Sequence, residues 1–194
     1  MSTILLQWWG GAFYLLNKIL FSKAERAVDL RHQYKWRRLA WTAYLIGLPP
    51  WVFIFFSEHN WIAAAVESSG VPAMLMGLCA AWKGHARIQG YIWLDRIARV
   101  TLFLGLGLSL YDFGGLTTFN QVLELGVAAG FLLGTYLLAK SRPHGYFWFI
   151  VGNVSAASLM MRQGYYVLMT QQIISLSLVL DAYWVQSRKA RENR

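Results

Sequence analysis

Runs of about 20 apolar residues, separated by short connections, are the feature that most constrains how this chain folds. The runs lie at approximately 3–22, 39–57, 61–82, 92–111, 119–139, 145–161 and 165–185. Lipid admits only helices and closed barrels as spanning structures, because each must satisfy its own backbone hydrogen bonds. Barrel strands alternate polar and apolar residues, whereas these runs are apolar on all sides. The sequence therefore predicts an all-α membrane protein with seven transmembrane helices.

The composition agrees with a lipid environment. Charged residues make up 14% of the chain, against about 25% in a typical soluble domain. The net charge of +9 would suggest nucleic acid in a soluble protein, but here the basic residues lie between apolar runs, so no nucleic-acid partner is predicted. The single cysteine, Cys79, excludes a disulfide within the chain. The first twenty residues lack a basic n-region and a cleavage site, and predict a retained first helix.

The basic residues predict the orientation of the chain. Of the 18 lysines and arginines, all except Arg162 fall on one side of a seven-span arrangement. They occupy the connections at 23–38, 83–99 and 140–142 and the tail at 188–194, with Lys18 at the end of the first run. Lysine and arginine accumulate on the cytoplasmic side of a membrane. The prediction is a multi-pass protein of a bacterial inner membrane, with its N-terminus outside and its C-terminus in the cytoplasm.

Two parts of the chain share a pattern that indicates an internal repeat. The offset that carries Trp82 onto Trp184, each just before a basic cluster, also carries Pro50 onto Gly152. Proline and glycine interruptions at corresponding places in two halves indicate a transporter binding site, so Pro49, Pro50 and Gly152 are predicted hinges. The alternative stays open that transmembrane helices simply tolerate both residues.

Seven spans suit a plan of three, one and three helices with parallel repeats, as in SWEET sugar carriers. If a second three-helix unit directly followed the first, it would have the opposite orientation in the membrane. One helix between them gives both units the same orientation. The predicted boundaries are 1–90 for the first three-helix repeat, 91–115 for a linker helix, and 116–194 for the second repeat with a short basic cytoplasmic tail.

Several residues carry a resemblance to a known family. They are Trp148, Gly152-Asn153-Val154-Ser155, Gly164-Tyr165-Tyr166, Gln171-Gln172, Asp181-Ala182-Tyr183-Trp184 and the span from Trp41 through Phe56. On these residues the chain resembles the nicotinamide riboside transporter (PnuC) family, which is SWEET-like in fold. The resemblance implies facilitated diffusion of a vitamin-like molecule, typically a ribosylated ring that cytosolic phosphorylation traps. The chain departs from the family at the end of span three, where Gly77 and Trp82 stand in place of a Gly-Trp-Tyr-x-Trp motif.

The substrate-binding candidates are polar or aromatic residues within the spans. They are Trp148, Asn153, Gln171, Gln172, Glu67, Trp41 and Tyr44. The amide of Asn153 offers donors and an acceptor, although a helix–helix hydrogen bond is the alternative. Trp148 could stack on a ring or anchor the helix at the interface. At most one of the adjacent Gln171 and Gln172 can face a given pore, and Glu67 is an ionisable group inside a span.

No catalytic set is apparent. The four histidines fall in loops without a metal-binding spacing, so no enzyme, metal or cofactor is predicted. The sequence favours a passive carrier for a small polar, ring-bearing metabolite, such as nicotinamide riboside or a related vitamin or nucleoside. The alternative is a receptor or assembly protein with a degenerate pore. The predicted partners are that small molecule and the lipid bilayer, and association between copies of the chain stays open.

Overall fold

The computed structural model describes residues 3–83, 92–112 and 118–192, and these residues form helices with no strand among them. The helices are α1 (Thr3–Arg26), α2 (Leu30–Ser57), α3 (Trp61–Ser69), α4 (Val71–Lys83), α5 (Ile92–Asp112), α6 (Phe119–Ala139), α7 (His144–Arg162) and α8 (Tyr166–Glu192). An all-helical fold is thereby confirmed. The predicted boundaries at 90–91 and 115–116, and the basic residues Arg87 and Arg194, lie outside the described residues.

Helices α3 and α4 form one interrupted helix, so the eight segments count as seven helices. Only Gly70 separates them, and its backbone N–H still donates to the carbonyl of Glu67. The interruption follows from Pro72, which has no N–H to donate to the carbonyl four residues earlier. By contrast, α2 continues through both Pro49 and Pro50 without ending.

The helices alternate in direction, as the contacts between helix ends at one side of the bundle show. The ends of α1, α4, α6 and α8 meet the starts of α2, α5 and α7 there. We call this side the basic end, since it holds the basic residues at 23–38, 140–142 and 188–191. The opposite end holds the turn at 58–60 and the turn at 163–165, and Arg162 donates there to Asn120.

The first turn of α2 lies at the basic end and is fixed by its cap. The side chain of Asp29 accepts a hydrogen bond from the backbone N–H of Arg31, at 3.2 Å. The ring of His32 lies 3.0 Å from the same carboxylate. The hydrogen bonds from His32 and from the Arg31 backbone hold the pKa of Asp29 below its ordinary value.

Glycines bring α6 and α7 into backbone contact. Gly126, Gly130 and Gly134 recur at four-residue intervals on one face of α6. A Cβ placed on Gly130 would lie 2.4 Å from the Cα and N atoms of Gly152, and one on Gly134 would lie 3.1 Å from the carbonyl oxygen of Gly145. Small residues at this spacing let transmembrane helices approach closely.

Apolar surface surrounds the bundle. Trp8 and Phe103 are each 70% exposed, and many other large apolar side chains face outward. In the part of the chain that the structure describes, three helices are long and apolar enough to cross a membrane, namely Leu30–Ser57, Trp61–Trp82 and Phe119–Ala139. The exposed apolar side chains are of the kind that water disfavours and lipid accommodates.

Candidate functional site

A cavity of about 290 Å³ lies between the interrupted helix α3/α4 and helix α6, with further wall from α2, α5 and α7. Its polar lining comes from Tyr44, Asn60, Glu67, Ser109, Glu124 and Thr135. It extends from Asn60, which is exposed at the opposite end, to Tyr44 at the middle of α2. This volume is at the lower limit of small-molecule sites, which measure about 300–1,000 Å³.

The carboxyl group of Glu67 is held from the far side by α1. The hydroxyl of Tyr14 donates to Glu67 Oε1. The ring of Tyr14 in turn packs edge-on against Tyr44, with 5.1 Å between ring centroids, so three helices fix the position of this carboxyl group. A carboxyl group with a single protein donor keeps acceptor capacity for a ligand.

Two hydroxyl groups form the floor of the cavity. Tyr44 Oη lies 3.3 Å from Thr135 Oγ1, and both residues are buried. The ring of Tyr44 also stacks at 14° on the ring of Trp41, which is itself buried. Phe131 lines the cavity beside Thr135, so the floor offers two aromatic rings and two hydroxyl groups to a bound molecule.

The basic end is closed by a buried polar cluster. Glu25 is 2% exposed, and its Oε1 accepts hydrogen bonds from Arg37 Nη2 at 2.8 Å and from Tyr146 Oη at 2.9 Å. Arg37 also donates to Ser141 Oγ at 3.1 Å. The ammonium of Lys189 donates to the backbone carbonyl of Glu25 at 2.6 Å. Helices α1, α2, α7 and α8 are thus tied together at the basic end.

Two further ion pairs lie at the same end. Asp181 accepts from Arg26 and from Ser22, the latter at 2.6 Å, which joins α8 to α1. Asp95 lies 3.1 Å from Lys140 Nζ, which joins α5 to the end of α6. Asp181 pairs with Arg26 of α1 and not with a basic residue of its own helix, because α1 packs beside α8.

The structure places Asn153 and Trp148 away from the cavity. Asn153 is fully buried, and its Nδ2 donates 2.7 Å to the carbonyl of Phe149 one turn earlier. Its side-chain oxygen has no hydrogen-bond partner among the described residues. The ring of Trp148 contacts the ring of the neighbouring Phe147. The predicted hinge Gly152 lies between these residues and contacts α6.

The remaining predicted residues pack between helices. Trp41 lies against Gly77, where an added Cβ would come within 2.3 Å of the ring. Gln171 Nε2 donates to the carbonyl of Gly11 at 3.3 Å, and Gln172 is half-buried beside it. Of the predicted set, Tyr44 and Glu67 therefore lie together at the cavity, and the others do not line it.

The residues at this site that were not predicted as substrate contacts include Tyr14, Thr135 and Phe131. Each is an ordinary residue of an apolar run, so its importance depends on which face of its helix meets the cavity. The spacing of Tyr14 and Lys18 by four residues places them on one face of α1, and this was a usable signal. Among the described residues, no group of histidine, cysteine or carboxylate side chains could hold a metal ion.

Comparison of the chain with protein-family models, with curated proteins and with solved structures gives no match.

Proposed function

We propose that this chain is an integral membrane carrier that moves a small polar, ring-bearing metabolite, such as nicotinamide riboside or a related vitamin or nucleoside, by facilitated diffusion. It crosses a bacterial inner membrane seven times, with the basic end and the C-terminus in the cytoplasm. Support for the orientation comes from the collection of basic residues at one end of the bundle, as the positive-inside rule requires.

One observation carries the proposal. The cavity reaches the opposite end of the bundle, while the buried cluster of Glu25, Arg37 and Tyr146 closes the basic end. A central site open to one side and closed to the other is the arrangement that alternating access requires. In the proposed orientation this conformation faces outward. A degenerate pore would instead have lost its cavity to packed apolar side chains.

The lining of the cavity favours the proposed substrate class. The rings of Tyr44 and Phe131 supply stacking surfaces for a planar ring. The hydroxyl groups of Tyr44 and Thr135 can pair with ribose hydroxyl groups. The carboxyl group of Glu67 attracts a positively charged ring nitrogen such as the pyridinium of nicotinamide riboside.

Matched helix contacts support the proposed repeat. The pair α1 and α2 corresponds to α6 and α7, and the pair α2 and α3/α4 corresponds to α7 and α8. Contacts between the halves correspond as well, because α1 meets α8 as α6 meets α4. Helix α5 packs on α3/α4 and α6, as expected of a linker. These pairs support rocking of two three-helix bundles around the site.

Uptake of radiolabelled nicotinamide riboside into proteoliposomes tests the function. The wild-type protein should give saturable uptake, and Glu67→Gln should lower it strongly because the charge at the cavity is lost. Glu58→Gln is the matched control, since Glu58 is an exposed carboxylate near the same end and its loss should leave uptake unchanged. If the protein transports no nucleoside, no vitamin and no sugar, the proposal is refuted.

Cysteine labelling tests the orientation. In a Cys79→Ser background, a cysteine introduced at His59 or at Val28 provides a single reactive site at each end of the bundle. A membrane-impermeant maleimide added to intact cells should label His59→Cys, and should label Val28→Cys only after permeabilisation. The reverse pattern would invert the proposed topology.

A further inference from the structure

Lys18 is a buried cation that the proposed mechanism does not yet use. It lies one helical turn after Tyr14 on α1 and is 8% exposed. Its ammonium lies 3.4 Å from the centroid of the Phe149 ring. The rings of Tyr44 and Phe131 lie farther away, at 5.3 Å and 5.9 Å. Rings from α2, α6 and α7 thus surround a charge that α1 supplies.

The nearby carboxylates do not neutralise this charge. Glu25 pairs with Arg37, and Asp181 pairs with Arg26. Within residues 3–83, 92–112 and 118–192, Lys18 takes part in no ion pair. Lysines near the end of a span usually extend to the interface, but this one points into the bundle. Aromatic faces compensate only part of the cost of burying an ammonium, so the position favours an incoming anion.

The charge lies directly behind the floor of the cavity. Tyr44 and Phe131 line the cavity and also face the ammonium of Lys18. The void beside Lys18, between Tyr146 and Phe149, measures about 10 Å³, which is at most the size of one water. A substrate group therefore reaches the ammonium only when one of the two floor rings turns aside.

We propose that Lys18 is the inner substrate-binding group of the carrier and recognises a carboxylate, while Glu67 recognises a positively charged ring nitrogen. This assignment rests on the proposed function and makes zwitterionic ring compounds the preferred members of its substrate class. A simple cation is attracted by Glu67 and repelled by Lys18 as it moves inward. A zwitterion meets an opposite charge at both places, so it passes the floor without an unfavourable step.

Two ribosides that share a pyridinium ring and a ribose separate the alternatives. Nicotinic acid riboside carries a carboxylate where nicotinamide riboside carries a carboxamide. A hydrogen bond to a charged group contributes about 1.5–3 kcal/mol, which corresponds to at least about tenfold in affinity. The wild-type protein should therefore take up the acid with a KM about tenfold below that of the amide in proteoliposomes.

The variants Lys18→Met and Lys18→Arg test the residue itself. Lys18→Met keeps the length of the side chain without its charge, and should lose the preference for the acid. Lys18→Arg keeps the charge and should keep the preference. Lys23→Met is the matched control, because Lys23 is exposed and lies over the ring of Trp36 at the basic end, and its preference should equal that of the wild type.

The outcomes distinguish this inference from the function on which it rests. If both ribosides are taken up without preference, or if Lys18→Met retains the preference, the proposed role of Lys18 is overturned. The carrier function is unaffected by either result. Absence of saturable uptake of either compound overturns the carrier and this assignment together. If Lys18→Met does not fold, Lys18→Gln replaces it, and the same comparison of the two ribosides applies.

Discussion

Gly130→Ala tests the close approach of α6 and α7. An added Cβ would lie 2.4 Å from Gly152 Cα and N, and 2.8 Å from the carbonyl oxygen of Trp148. Non-bonded carbon atoms prefer separations of about 3.5–4.0 Å, so the two helices must separate by about 1 Å. All three opposing atoms belong to the backbone, so no side-chain rotation can relieve the contact.

The net effect follows from two opposing contributions. Overpacking of a well-packed interior costs about 1–3 kcal/mol. Replacing glycine by alanine within a helix returns about 0.8–1.0 kcal/mol of helix propensity. Because the contact is between backbones, the upper part of the strain range applies, and we expect a net loss of about 1–2 kcal/mol. For a chain of this length, the loss lowers Tm by about 2–8 °C.

Gly107→Ala is the matched control for this measurement. Gly107 lies within α5, and an added Cβ there would meet nothing within 4 Å. The same substitution at that position should raise stability by about 1 kcal/mol or less. Thermal unfolding of the wild type and both variants in detergent, followed by circular dichroism, gives the comparison. A Gly130→Ala protein as stable as Gly107→Ala would refute backbone contact between α6 and α7 at this point.

Three further substitutions address the charges and the predicted site. Glu25→Gln leaves Arg37 buried without its counter-charge and should cost about 3–5 kcal/mol in the same unfolding experiment; a loss below about 1 kcal/mol would contradict a buried pair. Asp181→Asn should have a much smaller effect, because its partner Arg26 is mostly exposed and the pair is screened by water. Asn153→Ala should retain uptake, since Asn153 lies outside the cavity. Loss of uptake with the fold intact would indicate that Asn153 belongs to the substrate site.

The sequence predicted the helical fold because lipid-length apolar runs leave few alternatives. It did not predict where the main interruption falls. Helix α2 continues through Pro49 and Pro50, and their role as a hinge stays a prediction. Gly47, just before them, packs closely against Phe13 and Tyr14 of α1. The chain breaks instead at Gly70.

Of the predicted site residues, Tyr44 and Glu67 line the cavity. Glu67 was predicted because an ionisable group within an apolar run is unusual whatever its direction. Asn153 was predicted because it is a polar residue within an apolar run, but its side-chain amide donates to the backbone carbonyl of Phe149 in its own helix. Whether each of these two residues faces the cavity depends on the rotation of its helix about the helix axis. That rotation depends on how the helix packs against its neighbours. Glycines at 126, 130 and 134 set that packing for α7, and their four-residue spacing was readable in the sequence.

Helix α1 organises the interior, and this limits how the proposed carrier can move. Its residues Tyr14, Lys18 and Glu25 lie along one side and meet partners from different helices. The backbones of α6 and α7 meet at Gly130 and Gly152, so in the proposed carrier we expect α6 and α7 to move as one body. The Glu25 cluster is held by side chains that water can replace once it opens. In the proposed carrier, we therefore expect the conformational change that admits substrate to the cytoplasm at the basic end, between α1 with α2 and the paired α6 and α7.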